Sequence, residues 1–372
     1  VAVGRRKVSL DPVEGDWLFG DSRRRGNGAG EIVALVSDLA GCSATELQTV
    51  MRRSDPGWGT DGLLLSEVDE AYFDESESFV TCIAFRLHEN KLTLEIDFLV
   101  DHFDDEDEQE RLVSRILAPF LRRHRMAVIG SWMNSGSTSP PWVWHARIGF
   151  ATRNRTLDAL YQVGLDAIAL MDALRSGELT RETAGDLVRG GQATVLIGQP
   201  EGSWLDAKSQ HYDLSTARGQ ISLAQSVTRF CNAEGGGVIV VGMSTKKVPG
   251  GEEIRGVCPV PLDKGIVRKY EQALEVRVFP PPDNLSVEFV PEEPGMLVLI
   301  DIPPQPEELK PFLVHGAVVD DHVEGSFISI VRRRGESSIP ITAPMIHSTL
   351  AAGRALLRRG ELPAHNEDQG SH

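Results

Sequence analysis

The sequence predicts an α+β protein of two domains, and three observations predict it. At 372 residues the chain is long for a single hydrophobic core, so two domains are expected. In the N-terminal half the strand-like runs come in adjacent pairs, as antiparallel hairpins do, between helix-period segments. Beyond residue 191 strands predominate, after two helix-period segments that read as a connector.

Taken in order, residues 1–30 read as a flexible basic lead-in, because Arg23, Arg24 and Arg25 run into a glycine-rich stretch. Residues 31–53 read as a helix interrupted at Gly41, and residues 54–77 as a loop rich in Gly, Asp, Glu and Ser. Residues 78–87 and 92–100 are β-rich and flank a four-residue hairpin connection. The acidic run 101–110 leads into a helix over 111–125, with Leu112, Ile116, Leu117, Phe120 and Leu121 at helical spacing. Acids before its first turn and arginines at its end complement the helix dipole. Residues 126–132 and 142–150 are two more strands. The first domain, 31–152, thus reads αββαββ with an antiparallel sheet.

Residues 156–174 carry an apolar stripe, and 180–188 read as a short helix with Thr180 as N-cap. This pair forms the expected connector, 153–190. In the second domain, 191–355, strands are expected over 193–197, 204–209, 238–243, 285–290, 297–302 and 327–332. Helices are expected over 219–233 and 263–274. The polar stretch 356–372 reads as a disordered tail.

Composition narrows the function classes. The chain is 41% apolar and 25% charged, the balance of an ordinary soluble protein. A net charge of −16 argues against non-specific coating of DNA, although a local basic groove is compatible with it. Cys42, Cys82, Cys231 and Cys258 lie far apart and form no zinc-spaced cluster, which predicts free thiols in a reducing cytoplasm. No apolar run reaches the roughly 20 residues that span a bilayer, and none behind Arg5, Arg6 and Lys7 has the form of a signal peptide.

The most informative stretch is 201–242. Glu201 is followed by Asp206 and Lys208, then by an amphipathic segment ending in Asn232-Ala233-Glu234, three glycines and the apolar run Val238-Ile239-Val240-Val241. Hard carboxylate oxygens beside a lysine suit a phosphodiester held through Mg²⁺ or Mn²⁺. Lys208 would neutralise phosphate charge. The glycines follow a helix and precede a strand, the wrong polarity for phosphate on a helix N-terminus. They read as a C-cap and tight turn.

This order of motifs resembles the Schlafen-type AlbA domain, the second AlbA group, formerly labelled a divergent ATP-binding AAA domain. The resemblance covers about residues 192–350. It continues through Leu297-Val298-Leu299-Ile300-Asp301, Lys310-Pro311-Phe312 and Phe327 to Gly335. It implies a nucleic-acid-binding protein, RNA favoured, in stress response or antiviral defence. It implies metal-dependent endoribonuclease activity with Glu201, Asp206 and Lys208 as the catalytic set and Glu201 and Asp206 as the metal ligands. The family's third acid stands just after the glycine-terminated strand, where this chain has Met243 and Ser244; Asp301 is the candidate substitute.

Lys208, Lys246, Lys247, Arg332 and Arg334 are the candidate nucleic-acid contacts. Arg332 and Arg334 share one face if the segment is a strand. Trp132, Trp142 and Trp144 could stack bases but more often such residues pack a core. The missing third acid and the negative net charge equally suit a non-catalytic regulatory or protein-interaction module, with a protein partner or a second copy as ligand. A nucleotide-binding regulator is expected least, because no phosphate loop is present.

Overall fold

The computed structural model describes residues 7–11, 14–25, 31–53, 62–67, 81–263, 265–319, 322–334 and 337–340, and of Arg25, 317–329 and 331–340 the backbone alone. The fold is α+β, with six α-helices and strands in mixed sheets among the described residues. The chain divides into two compact units, Val1–Val195 and Leu196–His372.

The first unit opens with a three-stranded antiparallel sheet of β1 (Val8–Leu10), β2 (Asp16–Phe19) and β3 (Ser22–Arg25). Then come β4 (Glu31–Leu35), α1 (Ala44–Arg53), β5 (Gly62–Ser66), β6 (Ile83–His88), β7 (Lys91–Val100), α2 (Glu106–Arg123), β8 (Met126–Met133), β9 (Trp142–Phe150), α3 (Leu157–Ser176) and α4 (Arg181–Arg189). A six-stranded sheet runs β4-β5-β6-β7-β9-β8, antiparallel throughout except for β4 beside β5. One row of paired residues, Ile32, Leu63, Phe85, Leu94 and Ile148, crosses five strands and is fully buried. Leu47 of α1, Ile116 and Leu117 of α2, and Leu160 and Leu170 of α3 join the same core. The β6–β7 hairpin turns through Glu89 (φ 49°) and Asn90 (φ 61°), two consecutive positive φ angles as a tight two-residue turn requires.

Several expectations are corrected here. Part of the expected lead-in is sheet: Trp17 and Phe19 alternate on β2 and are fully buried, while Arg24 pairs with Asp38 at 2.6 Å and Arg23 with Asp16 at 3.3 Å. Residues 31–53 are not one helix. Pairing with β5 holds Glu31–Leu35 extended, and α1 starts only after Gly41 (φ 71°). Leucine-rich β5 lies inside the expected loop; the rest of that loop, 54–61 and 68–77, lies outside the described residues. The expected connector is core structure instead, since α3 buries Leu157, Leu160, Tyr161, Ala167 and Leu170 against the sheet. Thr180 caps α4 as expected, accepting from Thr183 N–H. The acidic run does not all precede the helix: Asp105 caps α2, accepting from Glu108 N–H at 2.9 Å, and residues 106–110 form the start of α2 itself.

After a 3-10 turn over Ala193–Leu196, where a strand was expected, the second unit begins its sheet. Its elements are β10 (Leu205–Lys208), α5 (Ala217–Cys231), β11 (Gly237–Val241), β12 (Met243–Val248), β13 (Gly251–Val257), α6 (Ile266–Arg277), β14 (Val278–Phe279), β15 (Ser286–Glu292), β16 (Gly295–Ile302), β17 (Leu313–Val319), β18 (His322–Ser329), β19 (Val331–Arg334) and β20 (Ser337–Pro340). The main sheet runs β10-β11-β16-β15; β10 is parallel to β11 and the other pairs are antiparallel. Helix α5 is the crossover that a parallel pair needs. It packs Ile221, Ala224, Val227 and Phe230 with Ile239, Val241, Val298 and Ile300 of the sheet. The chain from 341 onward, including the expected tail, lies outside the described residues.

Two of the motifs from the sequence hold each other. Asn232 caps α5, and its side chain donates to Phe312 C=O (3.0 Å) and accepts from Phe312 N–H (2.7 Å). Lys310 Nζ donates to Ala233 C=O at 3.0 Å. Two of the three glycines that follow, Gly236 and Gly237, are required by crowding. Gly236 has φ 67°, and a Cβ there would lie 2.2 Å from Ile302 O; one on Gly237 would lie 2.1 Å from the Phe230 ring.

Candidate functional site

The site is assembled on β10, the edge strand of the main sheet. Alternate residues of a strand share a face, so Asp206 and Lys208 point the same way. Lys208 Nζ lies 2.7 Å from Asp206 Oδ2. The paired rows Asp206–Ile239–Ile300 and Lys208–Val241–Val298 identify that face as the one α5 covers. From α5, Arg229 reaches Asp206 Oδ1 at 3.2 Å. Asp206 is only 2% exposed, so its charge is balanced by two cations inside the fold rather than by water.

Glu201 serves the neighbouring backbone. The carbonyls of Trp204, just before β10, and of Lys208 accept from Val238 and Gly242 N–H, which leaves Ala207 N–H on the open edge. Glu201 Oε1 accepts from that N–H at 2.9 Å, and Glu201 N–H donates to Glu252 C=O at 2.8 Å. Burial raises the Glu201 carboxyl pKa and the nearby Asp206 charge adds to the rise; the Ala207 hydrogen bond and Lys208 oppose it. Tyr212 completes the cluster. Burial, then the Asp206 charge, pushes its phenol pKa up, and Ser226 and Arg229 oppose the shift. Glu201, Asp206, Lys208 and Arg229 carry two negative and two positive formal charges, so the cluster neutralises itself.

These residues do not fit a Mg²⁺ or Mn²⁺ centre. The Asp206 carboxylate already serves two cations, and one Glu201 oxygen serves the backbone. Asp301 cannot replace the third acid: it pairs with Val238, in the row adjacent to Asp206–Ile239–Ile300, and so projects from the opposite face of the sheet. Ser244 donates to Gly256 C=O at 3.2 Å. Among the described residues no group of three or more His, Cys, Asp or Glu side chains is placed to hold a metal ion.

Of the expected nucleic-acid contacts, Lys208 lies on β10 itself, Lys246 and Lys247 on β12, and Arg332 and Arg334 on β19. Lys246 is tied across the β12–β13 hairpin to Glu253 at 3.1 Å; Lys247 is exposed on the other face of β12. Arg332 and Arg334 alternate on β19 as expected, but that strand belongs to the two-stranded sheet with β20. The tryptophans make packing contacts, the reading favoured over base stacking. Trp144 is fully buried with Nε1 donating to Ser131 Oγ at 2.6 Å, Phe103 stands edge-on to Trp142 and Trp144, and the Arg147 guanidinium lies 4.7 Å over Trp132.

Sequence reasoning missed Arg229 and Tyr212. An arginine in the last turn of a helix is explained by the dipole alone, so spacing gave no reason to aim Arg229 at Asp206.

No family model and no curated protein matches this chain. Among solved structures the chain is similar to the DIP2311 protein from Corynebacterium diphtheriae, with 16% identity and a TM-score of 0.25 over 47% of this chain and 26% of that one. The chain thus spans about a quarter of the length of that protein, 26%. The likeness is too slight to carry a fold or a function. Among the described residues no helix is long and apolar enough to cross a membrane.

Proposed function

We propose that this chain is a non-catalytic regulatory or protein-interaction module on a Schlafen AlbA-like scaffold. One observation carries the reading. Asp206, the residue that the resemblance makes a metal ligand, is buried and ion-paired to both Lys208 and Arg229. A carboxylate that ligates a catalytic metal must be free to give its oxygens to the ion. Asp206 spends them on the protein.

A second reading, RNA binding without cleavage, is favoured by Arg332 and Arg334 at alternate positions of β19. Either module is proposed to work in the cytoplasm, as the four free cysteines suit.

The test is incubation of a labelled structured RNA with Mn²⁺ or Mg²⁺, comparing wild type with the Glu201→Ala/Asp206→Ala double variant. The expected result is no metal-dependent cleavage by either protein. Cleavage by wild type that the double variant loses would overturn the proposal. Binding measured in parallel at several salt concentrations addresses the second reading. Salt-sensitive binding weakened by Arg332→Ala/Arg334→Ala supports it, and no binding at low salt removes it.

A further inference from the structure

Beside the ionic cluster, and sharing Tyr212 with it, lies a cleft of about 580 Å³ between the segment leading into α5 and one side of α6. The volume is that of a ligand-binding cleft. Helix α6 turns Ile266, Lys269, Ala273 and Val276 into it, at i, i+3, i+7 and i+10, the spacing of one helical face. Val276 is 63% exposed, an apolar group left to water at a concave site. Tyr270 underlies His211 and Tyr212: its hydroxyl lies 3.2 Å from His211 Nδ1, and its ring is edge-on to Tyr212.

The polar lining is acidic. Asp213 Oδ1 accepts from Ser215 Oγ (2.5 Å) and Ser215 N–H (3.3 Å) just before α5, so the helix start already has a fixed anion beside it. A phosphate there would meet like charge. Asp263 pairs with Lys269 at 2.7 Å and accepts from Gly265 N–H at 2.8 Å. Burial lowers the His211 pKa, which disfavours a charge on this imidazole. Two carboxylates therefore face one ammonium group.

We propose that this cleft binds a short peptide segment of a partner protein, one that places an apolar side chain beside a lysine or arginine. The apolar side chain would cover Ile266, Ala273 and Val276, and the cation would meet Asp213, whose partners are donors of its own loop. Charge complementarity selects this occupant. Nucleic acid brings the sign the lining already carries, and so does a second copy of a chain of net charge −16. The inference rests on the reading of the chain as an interaction module. The two fail separately, because the cleavage assay reads Asp206 and the peptide assay reads the cleft.

The experiment is fluorescence anisotropy of the full chain with a labelled Ala-Arg-Leu-Leu-Arg-Ala peptide, its Ala-Glu-Leu-Leu-Glu-Ala counterpart and polyuridine. Variants are Asp213→Asn and Val276→Arg, both at exposed positions, with circular dichroism confirming the fold. The expected result is saturable binding of the basic peptide alone, weakened roughly tenfold in each variant. The proposal is overturned by no saturable binding of that peptide, by equal binding of the acidic one, or by affinity unchanged in both variants. Polyuridine that displaces the peptide also overturns it, and assigns the cleft to nucleic acid.

Discussion

Asp206 decides the chemistry of the site, and its neutral isostere tests the role. Asp206→Asn leaves Lys208 and Arg229 facing a neutral amide inside the fold, which is expected to cost about 3 kcal/mol of stability in urea unfolding. Carboxylates gathered to receive a metal repel one another without it, so for a metal site the same change would be neutral or stabilising. Glu201 gives a pH signature. Its carboxyl pKa is raised in the fold, so the folded state holds the proton more tightly than the unfolded chain. That contribution is fully present below the unfolded value near 4.5 and is lost as pH rises through the folded value. Glu201→Gln keeps an oxygen for Ala207 N–H and removes the titration. The stability of wild type relative to this variant is therefore expected to fall as pH rises from 4 toward 7, and a difference that rises or stays flat contradicts the assignment. Three members of the cluster, Glu201, Asp206 and Lys208, were legible in the sequence because they sit on or next to one short strand. Arg229 and Tyr212 were not, because only the folding of α5 onto that strand brings them to it.

The glycine turn between α5 and β11 is where local sequence and packing agree most closely. Gly235→Ala meets open space, whereas Gly236→Ala adds a Cβ at φ 67° against the Ile302 and Pro303 backbone. The first is expected to change stability by less than about 1 kcal/mol and the second to destabilise by well over that, measured by thermal unfolding. Equal effects would mean the run is not a packed turn. Asn232→Ala removes both hydrogen bonds to the Phe312 backbone and leaves a buried N–H without its partner, an expected loss of about 1–3 kcal/mol. The same glycines, read from polarity alone, were already a turn rather than a nucleotide loop. Strongly periodic α2, α3, α5 and α6 were legible for the same reason: their apolar spacing matches one helical face. Strand β4 was not. Ile32 to Leu35 is a short apolar run that either structure can use, and the deciding partner, β5, lies 31 positions further on, as Glu31 pairs with Gly62.

The α+β class of the molecule followed from paired strands and periodic helices. What composition could not show was how charge is spent. Fifty-four acids against 38 lysines and arginines leave a net −16, and basic residues singled out as phosphate contacts prove to be partners for acids: Lys208 for Asp206, Lys246 for Glu253. Two of the five candidate phosphate contacts are thus already paired with acids of the fold. The most direct test of the central claim, that the acid cluster is structural, is the melting temperature of wild type and Asp206→Asn in EDTA and in millimolar Mn²⁺. Any ion bound to the folded site raises that temperature by mass action. A structural cluster predicts a wild-type value that Mn²⁺ leaves unchanged and a variant that melts lower in both buffers. A Mn²⁺-dependent rise in wild type that Asp206→Asn abolishes would contradict it.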